Sequence, residues 1–387
     1  AYRAELPVAG AETAARAVRA LVERHAALRL RFTAGEDGAW TQAITEPGED
    51  DGYTPEIDLR ALAEGRREAA VREMTDELAA ELDPLTGPVL RSAVFRLGED
   101  TRRLALLVHE LVVDGASWPI LLEDLAAGGE AGTVTPDPAG VLLARRMTAL
   151  EETYEPAPPA GDQARRAEDY LVGGGLDAEG RDALFGGARE VYRMSPAEVM
   201  TAVVASALLA SSGASRVDAE VDRRDGERPA GPYASVAPID LGPVTGDSPA
   251  ALLTLVKESL RSATPGSDAP APILIRHLGR LPGAAPEIGL RHPGDGPLTI
   301  ITSYETADGL RVELVSRAAD EEEICGLARA LPEAMRTLTE HFAAPGAGAV
   351  SPSDFPLAGL DEDELAAFAA LVAAPERGHA KPEHEEI

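Results

Sequence analysis

Stretches with helical periodicity alternate with strand-like stretches along this 387-residue chain, which restricts it to folds that pack helices against sheets. An amphipathic helix pattern beginning at Ala11 runs into a strand pattern from Leu28 to Phe32. Two further strand patterns, VLRSAVFRLG and RRLALLVHEL, flank the polar turn EDT. A helix pattern then begins at Ser117, with a proline in its first turn. The first half is therefore predicted to be mixed α/β (α+β).

The second half repeats this mixed character after a proline-rich stretch. EPAPPAGDQARR (155–166) has no apolar period and predicts a linker. Beyond it, Ser195 and Glu198 form a capping-box pattern at the start of a strong helix. GPLTIITSYE and LRVELVSR predict paired strands around TADG. The predicted units are an N-terminal lobe over 1–160, a C-terminal lobe over 161–374 and a disordered polar tail over 375–387.

Composition excludes several classes of function. A formal net charge of −30 would repel nucleic acid and anionic membranes, and no apolar run approaches the length that spans a bilayer. The single cysteine, Cys325, lies in a helical pattern and is expected in the core, so neither a disulfide nor a cysteine metal site is predicted. The histidines show no metal-ligand spacing, and the glycines of VGGGLD (172–177) predict a loop. We expect a cytoplasmic protein, or a segment of a larger one.

The stretch LLVHELVVDGASW (106–118) carries the strongest chemical signal. His109 and Glu110 end an apolar strand pattern, and neighbouring residues of a strand point to opposite faces, so they do not form a local acid–base pair. A histidine at such a position is, taken alone, more often structural than catalytic. Asp114 and Gly115 predict a tight turn whose carboxylate can pair with an arginine.

Taken together, HELVVDGASWPILLEDL (109–125) resembles the condensation superfamily of nonribosomal peptide synthetases, whose signature is HHxxxDG. RHAALRLRF (24–32), LDPLTGPVLRSAVFRL (82–97) and SPSDFPLAGLDEDEL (351–365) resemble other segments of that family. The resemblance implies two chloramphenicol-acetyltransferase-like lobes in a V-shaped pseudo-dimer. A tunnel between the lobes would admit the phosphopantetheine arm of a carrier protein. The family pattern also makes Arg29 the expected partner of Asp114.

The SW after the signature resembles the epimerization subtype, which carries a second motif near EGHGRE. EVDRRD (220–225) is the corresponding stretch here. Glu220 matches the leading glutamate of that motif, whereas its histidine is replaced by Asp222. Glu110 stands where the family keeps its catalytic base, and Pro272 stands at the position of a motif tyrosine. The resemblance assigns His109, Asp114, Gly115 and Arg29 to the structural motif, and Ser117, Trp118, Asp222, Arg224, Tyr233 and Pro272 to the channel.

Inverting an α-carbon requires one group to remove the proton on one face and another to return it on the opposite face. If the domain is active, the resemblance assigns these roles to Glu110 and Glu220, yet a carboxylate is a weaker base than imidazole. We expect a catalytically degenerate domain that binds no cofactor or metal itself. Its expected partners are a peptidyl carrier protein, neighbouring synthetase domains or a tailoring enzyme. An active peptidyl or aminoacyl thioester epimerase is the alternative, and amide-bond formation comes third.

Overall fold

The computed structural model describes the chain in a series of separate stretches. These are residues 2–34, 40–48, 51–128, 170–222, 230–242, 248–263, 272–281, 299–316, 321–361, 363–365 and 367. The predicted linker 155–166, the lobe boundary at 160 and the tail 375–387 lie outside the described residues. The division of the chain at residue 160 therefore stays a prediction.

The first lobe is the part of the chain up to residue 128. Its elements are β1 (Tyr2–Pro7), α1 (Ala11–Arg24), β2 (Leu30–Ala34), β3 (Trp40–Ile44), β4 (Glu56–Asp58), α2 (Glu64–Ala80), β5 (Leu90–Arg96), β6 (Arg102–Val108) and α3 (Ser117–Gly128). A 3₁₀ turn at Ala26–Arg29 takes up the start of the predicted strand 28–32, so β2 begins two residues later than expected.

Helices cover both faces of the four-stranded sheet in this lobe, whose strand order is β1-β6-β5-β4. Along β6, Leu104 and Leu106 pack on the face that carries α1 and α3, whereas Ala105 and Leu107 pack on the face that carries α2. Because both faces of the sheet are covered, β6 is a continuous apolar run from Leu104 to Val108 in the sequence. Both neighbours of β6 pair with it, so the segment after Val108 leaves from the middle of the sheet.

The second lobe begins at residue 170. Its elements are β7 (Tyr170–Asp177), α4 (Ala178–Tyr192), α5 (Pro196–Ser211), β8 (Arg216–Val221), β9 (Ser235–Asp240), α6 (Pro249–Ser262), β10 (Ile273–Arg280), β11 (Thr299–Thr306), β12 (Gly309–Ser316) and α7 (Glu321–Ala343). A 3₁₀ turn follows at Pro352–Asp354.

One face of the six-stranded sheet in the second lobe is covered by its own helices, and the other face meets the first lobe. The strand order is β7-β12-β11-β10-β8-β9. Ile275, Ile301 and Val312 point toward the helices and lie in the core of the second lobe. On the opposite face, Leu278 and Tyr304 join the apolar cluster around α1 and α3 of the first lobe. The two lobes therefore share buried apolar contacts beside the signature segment.

Among the sequence predictions for the second lobe, several are confirmed and two are wrong. The capping box of Ser195 and Glu198 is formed, and β11 and β12 pair antiparallel around the predicted turn. Cys325 is exposed, because it lies on the outer side of α7 rather than in the core. The predicted loop VGGGLD is part of β7. Gly175 suits that strand because a Cβ there would collide with the carbonyl oxygen of Leu310 on β12.

Among the described residues, no single helix is both long and apolar enough to cross a membrane. Taken together, α4 and α5 are long and apolar enough by length and composition only, and they are bent by 104° at the break between them.

Candidate functional site

The signature segment forms a turn between the centre of the first sheet and the start of α3. β6 ends at Val108, so His109 and Glu110 lie in the turn and not on the strand as predicted. The backbone N–H of His109 still donates to the Val89 carbonyl at 2.9 Å, and the N–H of Val112 donates to the His109 carbonyl at 3.1 Å. Glu110 is half-buried in this turn. The turn thus fixes both signature positions by backbone bonds.

The ring of His109 is engaged within the turn itself. Its Nδ1 accepts a hydrogen bond from the Leu111 N–H at 3.2 Å, so the neutral ring carries its proton on Nε2. Burial lowers the pKa of His109, against the opposing effect of the Glu110 charge, so the neutral form is favoured. A neutral imidazole in this tautomer has no lone pair left on Nε2 to accept a substrate proton.

Asp114 joins the two lobes through backbone amides. Its Oδ1 accepts from the Ser117 N–H at 2.9 Å and from the Ser117 hydroxyl at 2.7 Å. Its Oδ2 accepts from the N–H groups of Tyr233 and Ala234 at 2.8 and 2.9 Å, and these residues belong to the second lobe. Asp114 is buried, so these charge-assisted bonds replace the water that it loses.

The predicted pairing of Arg29 with Asp114 is wrong. Arg29 donates instead to the carbonyls of Val22 and Thr45, at 3.1 and 2.7 Å, and so ties the end of α1 to the segment after β3. The reason is positional: Asp114 faces the second lobe, whose amides satisfy one of its oxygens while Ser117 satisfies the other. The two residues of the family pattern thus serve separate structural sites.

Ser117 and Trp118 begin α3 and complete the same junction. The Gly231 N–H of the second lobe donates to the Ser117 hydroxyl at 3.0 Å. Trp118 is fully buried and lies in an apolar cluster that also holds Tyr233. These predicted channel residues are therefore parts of the inter-lobe core, and Tyr233 contributes its backbone N–H to Asp114.

Glu220 meets the signature turn from the other lobe, as the sequence predicted. Its Oε1 accepts from the Gly115 N–H at 3.1 Å, and its Oε2 lies 2.9 Å from Arg276 Nε in an ion pair. A Cβ at position 115 would lie 2.8 Å from both Glu220 Oε1 and Leu278 Cδ2. The close approach of the lobes therefore favours glycine at this point of the turn, because a larger residue would displace the ends of the Glu220 and Leu278 side chains.

The remaining predicted site residues lie at strand ends or outside the described residues. Asp222 is exposed directly after β8. Pro272 is exposed directly before β10, where its carbonyl accepts from the Thr299 N–H at 3.0 Å. Arg224 lies outside the described residues. No group of side chains with metal-binding geometry occurs within the described stretches.

Sequence reasoning missed Arg276 and the loop around Gly231. Arg276 had a signal, because it is the charged residue in the apolar strand pattern ILIRHL, and a charge in a buried strand requires a partner. Gly231 gave no signal in the sequence, since it contributes only its backbone N–H and carbonyl groups.

Comparison with known proteins finds similarity to nonribosomal peptide synthetases. A family model described as Condensation domain matches residues 10–137. A linear gramicidin synthase protein of Brevibacillus parabrevis is 27% identical over 432 residues, covering 92% of this chain and 8% of that protein. Another protein of the same synthase is 46% identical over 111 residues, covering 29% of this chain and 2% of that protein. Residues 10–137 therefore match the Condensation domain family, and the chain as a whole is similar to nonribosomal peptide synthetases.

Solved structures of this superfamily share the fold. The epimerization domain from the third module of tyrocidine synthetase B matches with a TM-score of 0.64 at 20% identity, covering 88% of this chain and 91% of that one. The first condensation domain of the calcium-dependent antibiotic synthetase matches with a TM-score of 0.62 at 22% identity, covering 90% and 92%. The condensation-domain fold has two chloramphenicol-acetyltransferase-like lobes, as the sequence predicted. The chain spans less than a tenth of the curated synthetases named above.

Proposed function

We propose that this condensation-superfamily domain is an epimerization-type domain that has lost its proton chemistry and serves as a binding platform within a cytoplasmic peptide synthetase. The observation that carries the proposal is that both carboxylate oxygens of Glu220 are engaged by protein groups. One of its oxygens is bound to the Gly115 amide and the other is ion-paired with Arg276. The SW that opens α3 and the partial match of residues 220–225 to the second motif support the epimerization subtype.

Epimerization at a thioester α-carbon needs two groups that exchange protons with opposite faces of that carbon. An arginine against a carboxylate favours the charged form and makes the carboxylate a weaker base. Glu110 stands in place of the imidazole, and His109 has its Nδ1 lone pair engaged. General-base catalysis contributes about 10²- to 10⁴-fold, so loss of the two groups removes most of the rate enhancement.

The platform role follows from what this chain keeps. The junction of Asp114, Ser117 and Gly115 with the second lobe is fully formed, which preserves the two-lobed frame. A frame retained without its chemistry can still serve to bind partners, and this is the role we assign to it. The proposed partners are a peptidyl carrier protein with its phosphopantetheine arm, the adjoining synthetase domains and, in some assembly lines, a tailoring enzyme. The proposed lobes are residues 1–160 and 161–374.

Chiral analysis tests the proposal against an active epimerase that uses Glu110 and Glu220. A carrier protein loaded with an L-aminoacyl or peptidyl thioester is incubated with the domain, the thioester is hydrolysed, and the enantiomers are separated. The proposal expects the L form throughout, with the parent and Glu110→Gln giving the same result. A D fraction that forms with the parent and disappears with Glu110→Gln would establish the epimerase instead.

A further inference from the structure

Arg276 and Glu220 are neighbours on the face of the second sheet that meets the first lobe. β8 and β10 pair in parallel, with Ile275 opposite Ala219. The next residue of each strand is Arg276 and Glu220, and both side chains project from the same face. The side chains are 15% and 13% exposed, so water and salt screen the pair less than they screen a surface ion pair.

This pair lies at a contact between the lobes. The Arg276 guanidinium is ion-paired with Glu220 Oε2, while Glu220 Oε1 accepts a hydrogen bond from the Gly115 N–H. Gly115 lies in the other lobe, 105 residues from Glu220 in the sequence. Gly115 in turn has no space for a side chain, because Glu220 and Leu278 fill it. A glutamate without its arginine could rotate about three side-chain torsions and leave the amide.

We infer that Arg276 is a positioning residue that holds Glu220 as a strut between the lobes and thereby sets the gap between the signature turn and the second sheet. The strut and the hydrogen bonds that Asp114 accepts from both lobes lie at adjacent turn positions, so together they fix the turn at two points. The proposed function has the carrier arm pass between the lobes. The consequence of this gap for the arm therefore rests on the proposed function.

The distance between the lobes can be measured with spin labels, without any substrate. Cys325 is the only cysteine and is exposed on α7, and Asp100 is exposed in the turn between β5 and β6. Asp100→Cys with the native Cys325 therefore provides one label on each lobe for double electron–electron resonance. We expect a narrow distance distribution in this background and a broadened or shifted one when Arg276→Gln is added.

Two matched variants test whether the positive charge of Arg276 causes the change in the distance distribution. Arg276→Lys keeps the positive charge and should restore most of the narrow distribution. Arg280→Gln, on the same strand, removes an exposed arginine that lies 3.5 Å from Glu305 and should leave the distribution unchanged. An unchanged distribution in Arg276→Gln would overturn the inference, as would equal broadening in Arg280→Gln.

A second measurement keeps the test decisive if Arg276→Gln folds poorly. Urea unfolding of Arg276→Gln, Glu220→Gln and the double variant gives a coupling between the two sites, since each single change breaks the pair. We expect the double variant to be destabilised less than the sum of the single variants. Additive effects would overturn the inference. Because none of these readouts uses a carrier or a thioester, they stay interpretable even if the proposed function fails.

Discussion

Replacing Asp114 tests whether the signature aspartate is a structural junction between the lobes. Asp114 accepts hydrogen bonds on both oxygens, from backbone N–H groups of Ser117, Tyr233 and Ala234 and from the Ser117 hydroxyl. Asn has nearly the same size but carries an acceptor on one side and a donor on the other. Either orientation of the amide therefore sets its NH₂ group against at least one backbone N–H.

The magnitude follows from the number of donors left without an acceptor. A buried polar group that loses its partner costs about 1–3 kcal/mol. Asp114→Asn leaves at least one such donor, so a loss of about 1–3 kcal/mol is expected. Asp114→Ala leaves the three backbone donors together, and we expect a loss of at least ~3 kcal/mol. The stranded groups are amides of both lobes, and not the Arg29 charge that the sequence suggested.

Urea unfolding followed by tryptophan fluorescence measures this loss, since Trp118 is fully buried close to Asp114 in the chain. Asp58→Asn is the control, because Asp58 is paired with Arg60 at the surface and its loss should change the midpoint little. An Asp114→Asn variant as stable as the parent would refute the reasoning, because no arrangement of the amide satisfies all the donors.

Three further changes have expected outcomes. Gly115→Ala should lower the free energy of unfolding by about 1–3 kcal/mol in urea, because its Cβ would meet Glu220 Oε1 at 2.8 Å. Lys257→Met should cost about 1–3 kcal/mol in the same assay, because it removes the ammonium 2.6 Å from the buried carboxylate of Asp354, which keeps Arg261 at 2.8 Å as its second cation. Burial lowers the pKa of His277 to about 4, below its unfolded value near 6.5. Its contribution to stability is therefore present above pH 6.5 and lost as the pH falls toward 4, and unfolding midpoints measured across that range should vary less in His277→Gln than in the parent.

Local patterns in the sequence predicted the elements well, because their causes lie within a few residues. Ser195 and Glu198 cap a helix through bonds three residues apart, so the motif is visible in the sequence. The paired strands β11 and β12 were likewise predicted from alternation around a short turn. β7 was missed because its glycines have low strand propensity, and the need for glycine at position 175 arises only from the close approach of β12.

The candidate site was predicted in part. The meeting of Glu220 with the signature segment followed from the family resemblance, and the structure places Glu220 on the Gly115 amide. The partner of Asp114 was not predictable, because it includes backbone amides more than a hundred residues away that carry no side-chain signature. Arg276 was missed for a similar reason, since its partner depends on the pairing of β8 with β10.

Deuterium wash-in at the α-carbon tests the central claim that the domain carries out no proton transfer. A carrier protein loaded with an aminoacyl or peptidyl thioester is mixed with the domain in D₂O, and the released acyl group is analysed by mass spectrometry. The parent should show no exchange above the carrier alone, and Glu110→His should not produce it, because Asp222 and Pro272 still replace motif residues. Exchange by the parent that vanishes in Glu110→Gln or in Glu220→Gln would contradict the account.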